Sequence, residues 1–195
     1  MTELGERIRG LRLAARFSLA ELAEASGVSR SMLSEIERGT KTPGVLTLDK
    51  LATSLGTSIA RLLDQPVEAR VHVLKRSDQR VVRDPDGWER RILSPVLPGV
   101  EFEFMRTTLG PGVDAGEFLP HAAGSREYVA VESGVLQLTL DGTIYVLQAG
   151  DAIYYPGDCL HGFRNTGDVP CAYYLAMELA TSHTRHIRSE EDDAS

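Results

Sequence analysis

The stretch from Ser18 to Gly39 constrains the fold most, because it reads as two short helices joined by a tight turn. Ser18 stands where its hydroxyl accepts from a backbone N–H of the first turn, and Glu21 occupies the reciprocal capping-box position. Leu19, Leu22 and Ala23 recur at i, i+3 and i+4 and give one narrow apolar face. Gly27 ends the first helix, since a left-handed residue is cheapest as glycine, and Val28 can pack back across the turn. Ser29 caps the second helix, which turns Leu33 and Ile36 inward and Arg30, Ser31, Ser34, Glu35 and Arg38 outward before Gly39 stops it.

Two short helices bury little by themselves, so they need neighbours. Upstream, Leu4, Ile8, Leu11 and Ala15 repeat at helical spacing, with Arg7, Arg9, Arg12 and Arg16 on other faces. Downstream, Thr47 is expected to cap a helix carrying Leu48, Leu51, Ala52 and Leu55 before Gly56, and residues 58–63 add a last short helix. The expectation is an all-α five-helix domain over residues 1–65, near the lower size at which a domain folds alone.

Across residues 4–63 the sequence resembles the repressor-type helix-turn-helix domains of the XRE family. The resemblance rests on Gly27-Val28-Ser29, on the run from Leu33 to Gly39, on Pro43, and on the run from Thr47 to Ala52. It implies a double-stranded DNA operator as partner, with the helix from Arg30 to Arg38 in the major groove. Arg30, Ser31, Ser34 and Glu35 are then candidate base readers. Arg38, Thr40 and Lys41 become phosphate contacts, helped by the capped helix starts at Ser18 and Ser29. Such readers usually act as homodimers on half-sites about one helical turn, roughly 34 Å, apart. Charge limits the reading to specific binding. The chain is net −7, and residues 1–65 hold nine Lys or Arg against eight Asp or Glu, so general attraction to nucleic acid is weak.

After Pro66 helical spacing gives way to short β-rich runs at 71–74, 81–82, 100–109, 128–131, 135–140, 144–147, 152–155 and 171–179. Asp141-Gly142 between two alternating runs is a hairpin signal. Many short strands with regular turns predict a β-barrel or jelly roll. Residues 66–106 are expected to hold a linker and the leading strands, 107–180 the barrel, and 181–195 an acidic tail.

Two motifs in this half resemble the cupin family, a double-stranded β-helix barrel. The first runs through Gly116, His121, Ala123, Glu127 and Gly134, with Ala123 where the family has a second histidine. The second runs through Gly150, Asp151, Pro156, His161 and Asn165, with Asp158 where a glycine is usual. The resemblance implies an inward-facing set of His121, Glu127 and His161, able to hold Fe, Mn, Ni or Zn with positions left open, or to orient a small-molecule effector. Tyr145, Tyr154, Tyr155, Phe163, Tyr173 and Tyr174 belong to barrel strands, about half of them facing inward by alternation. Arg106 and Arg126 are expected on the surface. Trp88 is placed in the connector before the motifs, packing the barrel on its linker or on a second subunit.

Cys159 and Cys171 form no metal-type or disulfide pattern, which fits a reducing cytoplasm. No apolar run approaches the roughly 20 residues of a membrane span. His183 and His186 are weak metal candidates in the tail. Together these features point to a DNA-binding regulator, not an enzyme, whose barrel senses an effector. The alternative is a metal-dependent enzyme of the hydroxypropylphosphonate epoxidase type, which joins similar domains. That pattern places its glutamate four residues after histidine, whereas His121 and Glu127 are six apart.

Overall fold

The computed structural model describes residues 2–63 and 71–180. The 64–66 junction and the tail with His183 and His186 lie outside them. Five helices come first: α1 (Glu3–Ala14), α2 (Leu19–Ser26), α3 (Arg30–Arg38), α4 (Val45–Ser54) and α5 (Ile59–Leu63). The Ser18 capping box forms in both directions, Ser29 accepts from the Met32 N–H, and Gly27 lies in the left-handed region at φ 66°. Helix α4 starts earlier than expected: Gly44 is its N-cap, and Thr47 sits inside the first turn. Pro43 precedes that cap, and a buried Val45 pulls the helix start forward into the core.

Arg12, expected on a face of α1 other than its apolar one, is buried. Its Nε and Nη2 donate to the two carboxylate oxygens of Glu37 at 2.7 and 2.9 Å, and its Nη1 donates to the Phe17 carbonyl. This bidentate pair ties α1 to the inner side of α3. The chain also comes close at Gly5, where an added Cβ would lie 2.6 Å from the Ile36 carbonyl oxygen.

Ten antiparallel strands follow: β1 (Val81–Asp84), β2 (Trp88–Ile92), β3 (Phe102–Leu109), β4 (Asp114–Phe118), β5 (Arg126–Ser133), β6 (Val135–Leu140), β7 (Thr143–Gln148), β8 (Ala152–Pro156), β9 (His161–Asn165) and β10 (Cys171–Glu178). They form a six-stranded sheet, β1-β2-β3-β10-β5-β8, facing a four-stranded sheet, β4-β9-β6-β7. This is the expected jelly-roll barrel. Alternation sends Val129 and Val131 of β5, Leu136 and Leu138 of β6, and Tyr173, Leu175 and Met177 of β10 between the sheets. Asp141 and Gly142, both at positive φ, close the β6–β7 hairpin.

Three strands escaped the sequence reading. β2 carries three consecutive charged residues, Glu89, Arg90 and Arg91, β9 has Phe163 as its one large apolar residue, and β4 carries Gly116 at positive φ, so β-rich composition does not mark them. Residues 71–74 form no strand and leave Val71 and Val73 exposed. Trp88 is not in a connector. It lies in β2, 4 % exposed, edge-on to Phe118 inside the barrel.

The helices and the barrel share one contiguous apolar core. Helix α4 packs on β1 and β4, and the α5 backbone N–H of Ala60 donates to the buried Glu103 of β3. Arg61 of α5 grips Glu101 through two nitrogens and also donates to the Leu97 and Val100 carbonyls. A Cβ on Gly44 would come within 2.5 Å of an Asp84 oxygen, so the two domains meet closely there.

Candidate effector and metal site

His121 follows β4, Glu127 is the second residue of β5, and His161 opens β9. Pairing of Phe118 with His161 across β4 and β9 brings the first and second motifs together. One ligand atom from each of the three residues lies within 4.8 Å of the others. His121 Nε2 is 3.3 Å and His161 Nε2 is 3.5 Å from the same oxygen, Glu127 Oε1. The other oxygen, Oε2, accepts from the Tyr155 hydroxyl, whose acidity burial and the adjacent carboxylate suppress. Among the described residues Oε1 has no hydrogen-bond partner.

The donor chemistry explains that vacancy of bonding. His161 Nδ1 lies 3.0 Å from the Cys159 carbonyl, which can only accept, so Nδ1 carries a hydrogen. In the neutral ring Nε2 then presents a lone pair to Glu127 Oε1. Lone pairs converging on one point in a buried site call for a proton or a cation between them. Two imidazoles and a carboxylate with further open positions fit a divalent first-row metal, which could supply Lewis acidity or a coordination point for an effector. Ala123 is exposed in the turn before β5.

Electrostatics around the site are acidic. Asp49, Glu103 and Glu127 are all buried, and Arg90 is the buried permanent cation among them. Burial pushes Asp49 upward in pKa, against the pull of His121, Arg90 and His161. Burial also raises Glu103, despite the Ala60 N–H. For His121, burial opposes the charge, but contact with Glu127 and the fields of Asp49, Glu127 and Glu103 outweigh it and hold the pKa above 6.5. Burial would raise Glu127, yet contact with His121, the field of the neighbouring histidines and the Tyr155 hydroxyl hold it below 4.5. Arg90 lies over both Trp88 and Phe118, and Phe118 stacks on the His161 ring at 5.5 Å. Arg90, Asp49 and Thr53 were not foreseen as site residues. Asp49 lies in the quoted helix motif, but only tertiary packing shows that it faces the barrel.

A cleft of about 460 Å³ opens beside His121. Thr53, Gly56 and Thr57 of the helical domain form one wall, and Glu101, His121 and Ala122 of the barrel form another. Half of the six strand aromatics, Tyr155, Phe163 and Tyr173, are buried as alternation requires, while Tyr145 and Tyr154 are exposed and Tyr174 is half-buried. Arg106 pairs with Glu132, and Arg126 with Glu178, on the outer face. Both thiols are free, Cys159 donating to the Pro156 carbonyl, and the Cys159 carbonyl orients His161.

On the helical domain the candidate readers occupy one outward strip. Arg30, Ser31, Arg38, Thr40 and Lys41 are exposed, and Ser34 and Glu35 are half-buried. Arg38 donates to the Ser34 hydroxyl at 2.7 Å, Ser31 and Ser29 share a hydrogen bond, and Lys41 stands 4.0 Å from Glu35. At the start of α2 the Glu21 carboxylate already accepts from the Ser18 N–H, so an incoming phosphate would compete with it.

Comparison with known proteins agrees with this architecture. Residues 8–62 match the helix-turn-helix family and residues 105–177 the cupin domain family. The chain is 33 % identical over 179 residues to the HTH-type transcriptional regulator SutR of Escherichia coli K12, spanning 92 % of this chain and 96 % of the relative. A crystal structure of an HTH_3 family transcriptional regulator from Vibrio cholerae superposes with a TM-score of 0.73 at 26 % identity, covering 91 % of this chain and 95 % of that one. Hydroxypropylphosphonic acid epoxidase from S. wedmorenis shares the fold alone, with a TM-score of 0.50 and 18 % identity over 90 % of this chain and 96 % of that one. Domain order and similarity over most of both chains agree, and the chain belongs to the XRE-type helix-turn-helix transcriptional regulators that carry a C-terminal cupin domain.

Proposed function

We propose that this regulator reads a DNA operator through α3 and adjusts that binding when a small effector enters the cleft beside His121. The observation that carries the reading is the composition of the cleft: one wall belongs to the DNA-binding domain and the other to the barrel. A ligand seated there contacts both domains, so it can favour one arrangement over another, which is the thermodynamic requirement for a switch. Arg30, Ser31, Ser34 and Glu35 read bases, and Arg38, Thr40 and Lys41 hold phosphates. Tyr128 and Tyr154, each about half exposed on the outer face of the six-stranded sheet and 5.0 Å apart, support pairing of two chains through their barrels. Such a dimer would set the separation of the two reading helices.

Selection of genomic fragments by the full chain tests this. The expected result is enrichment of a few two-fold symmetric sites with half-sites about one helical turn apart, lost in Arg30→Ala. Indiscriminate retention of fragments by both proteins would overturn it. The convergence of His121, Glu127 and His161 also favours a second reading, a metal-dependent oxygenase. Oxygen uptake by the Fe(II)-loaded chain, set against a Glu127→Gln control, tests that separately.

A further inference from the structure

We infer that the cation site of the barrel is shared between the domains: α4 of the DNA-binding domain supplies Thr53 to orient His121 and Asp49 to balance charge, so a divalent metal ion binds most tightly when the domains are docked. The inference deepens the reading above, for it names a ligand class at the same site and the residues that carry its effect to the helices.

The tautomer argument comes first. Each imidazole must ligate through Nε2, the nitrogen facing Glu127, so each needs an acceptor for its Nδ1–H. For His161 the barrel provides one, the Cys159 carbonyl. For His121 the partner is Thr53 Oγ1, 3.4 Å away on α4. The barrel therefore fixes one ligand ring, and the DNA-binding domain fixes the other.

Asp49 lies one helical turn before Thr53, on the same side of α4. Its side chain is 5 % exposed, Oδ1 is 4.0 Å from Arg90, and among the described residues Oδ2 lacks a hydrogen-bond partner. Arg90 in turn covers Phe118, which stacks on His161. Thus α4 meets the surroundings of both histidines. Three buried carboxylates, Asp49, Glu103 and Glu127, lie around one buried guanidinium, Arg90, so these acidic surroundings favour a cation at the histidines. The set of two imidazole nitrogens and one carboxylate oxygen suits Mn, Fe, Ni or Zn better than Ca or Mg.

Coupling is reciprocal: if docking of α4 strengthens metal binding, metal binding strengthens docking by the same factor. Thr53 is accordingly a positioning residue, and loss of an outer partner of this kind lowers metal affinity about 10- to 100-fold. The experiment is calorimetric titration of the full chain with Zn(II) and with Mn(II), paired with hydrogen exchange of residues 45–54. The wild type should bind one ion per chain and slow exchange in α4. Thr53→Val should weaken binding at least tenfold and lose the added protection, whereas Thr53→Ser, which keeps the hydroxyl, should recover both. Thr143→Val, at an exposed position of β7 outside the cleft, should match the wild type. Equal affinity of wild type and Thr53→Val, or failure of Thr53→Ser to restore a loss, would overturn the inference. Absence of metal binding by the wild type would also overturn it, while leaving a metal-free effector site intact.

Discussion

Arg12→Ala isolates the contact that fixes the reading helix. Arg12 and Glu37 have side chains only 9 % and 7 % exposed, joined by two charge-assisted hydrogen bonds, and the Glu37 carboxylate holds the guanidinium above its usual pKa. Removing the arginine strands a carboxylate in the interface between α1 and α3 and frees the Phe17 carbonyl. Breaking a buried pair from one side costs about 3–5 kcal/mol. At about 2–4 °C per kcal/mol for a chain of this size, the melting temperature should fall by roughly 6–20 °C. The double change Arg12→Met with Glu37→Leu removes both charges and should return to within about 1.5 kcal/mol of the wild type or exceed it. Urea unfolding followed by circular dichroism measures all three proteins. A deficit below about 1 kcal/mol for Arg12→Ala, or a double variant as unstable as the single one, would refute the assignment.

Other consequences follow from the barrel. In metal-free protein the raised pKa of His121 contributes stability that is complete below 6.5 and is lost as pH rises through the folded value, so thermal melts should weaken from pH 6 to pH 8. Zn(II) should offset that loss, because ligation needs the neutral ring; a stability that is flat with pH argues against the His121–Glu127 contact. Glu127→Gln should abolish metal-induced stabilisation, which for the wild type at a hundredfold excess over Kd is about 2.7 kcal/mol by differential scanning calorimetry. Gly134→Ala should destabilise by about 1–3 kcal/mol, since φ is 80° and a Cβ would lie 2.8 Å from the Cys171 Cα and the Pro170 oxygen. Tyr128→Glu should shift sedimentation toward monomer and weaken operator binding, and an unchanged dimer would remove that face from the proposed assembly.

The sequence exposes those parts of the fold that local rules govern. Caps at Ser18 and Ser29, terminators at Gly27 and Gly39, and alternating runs such as β6 are short-range signals, and the structure realises them. The spacing of His121, Glu127 and His161 was also legible through the family motifs. What escaped depends on partners far along the chain. Arg12 looks like any surface arginine until Glu37, 25 residues on, is beside it. Trp88 and Arg90 sit in a strand whose apolar periodicity is broken by its charged residues, two arginines and a glutamate. Thr53 and Asp49 gain their meaning only when α4 docks on a barrel whose histidine lies 68 residues beyond Thr53.

The most direct measurement is the affinity of the chain for its selected DNA, read by fluorescence anisotropy at one fixed salt concentration, metal-free and saturated with Zn(II) or Mn(II). Coupling between the shared site and the reading domain predicts a change in Kd of about fivefold or more, abolished in Glu127→Gln and reduced in Thr53→Val. Identical affinities in every state, with the ion shown to be bound, would contradict it.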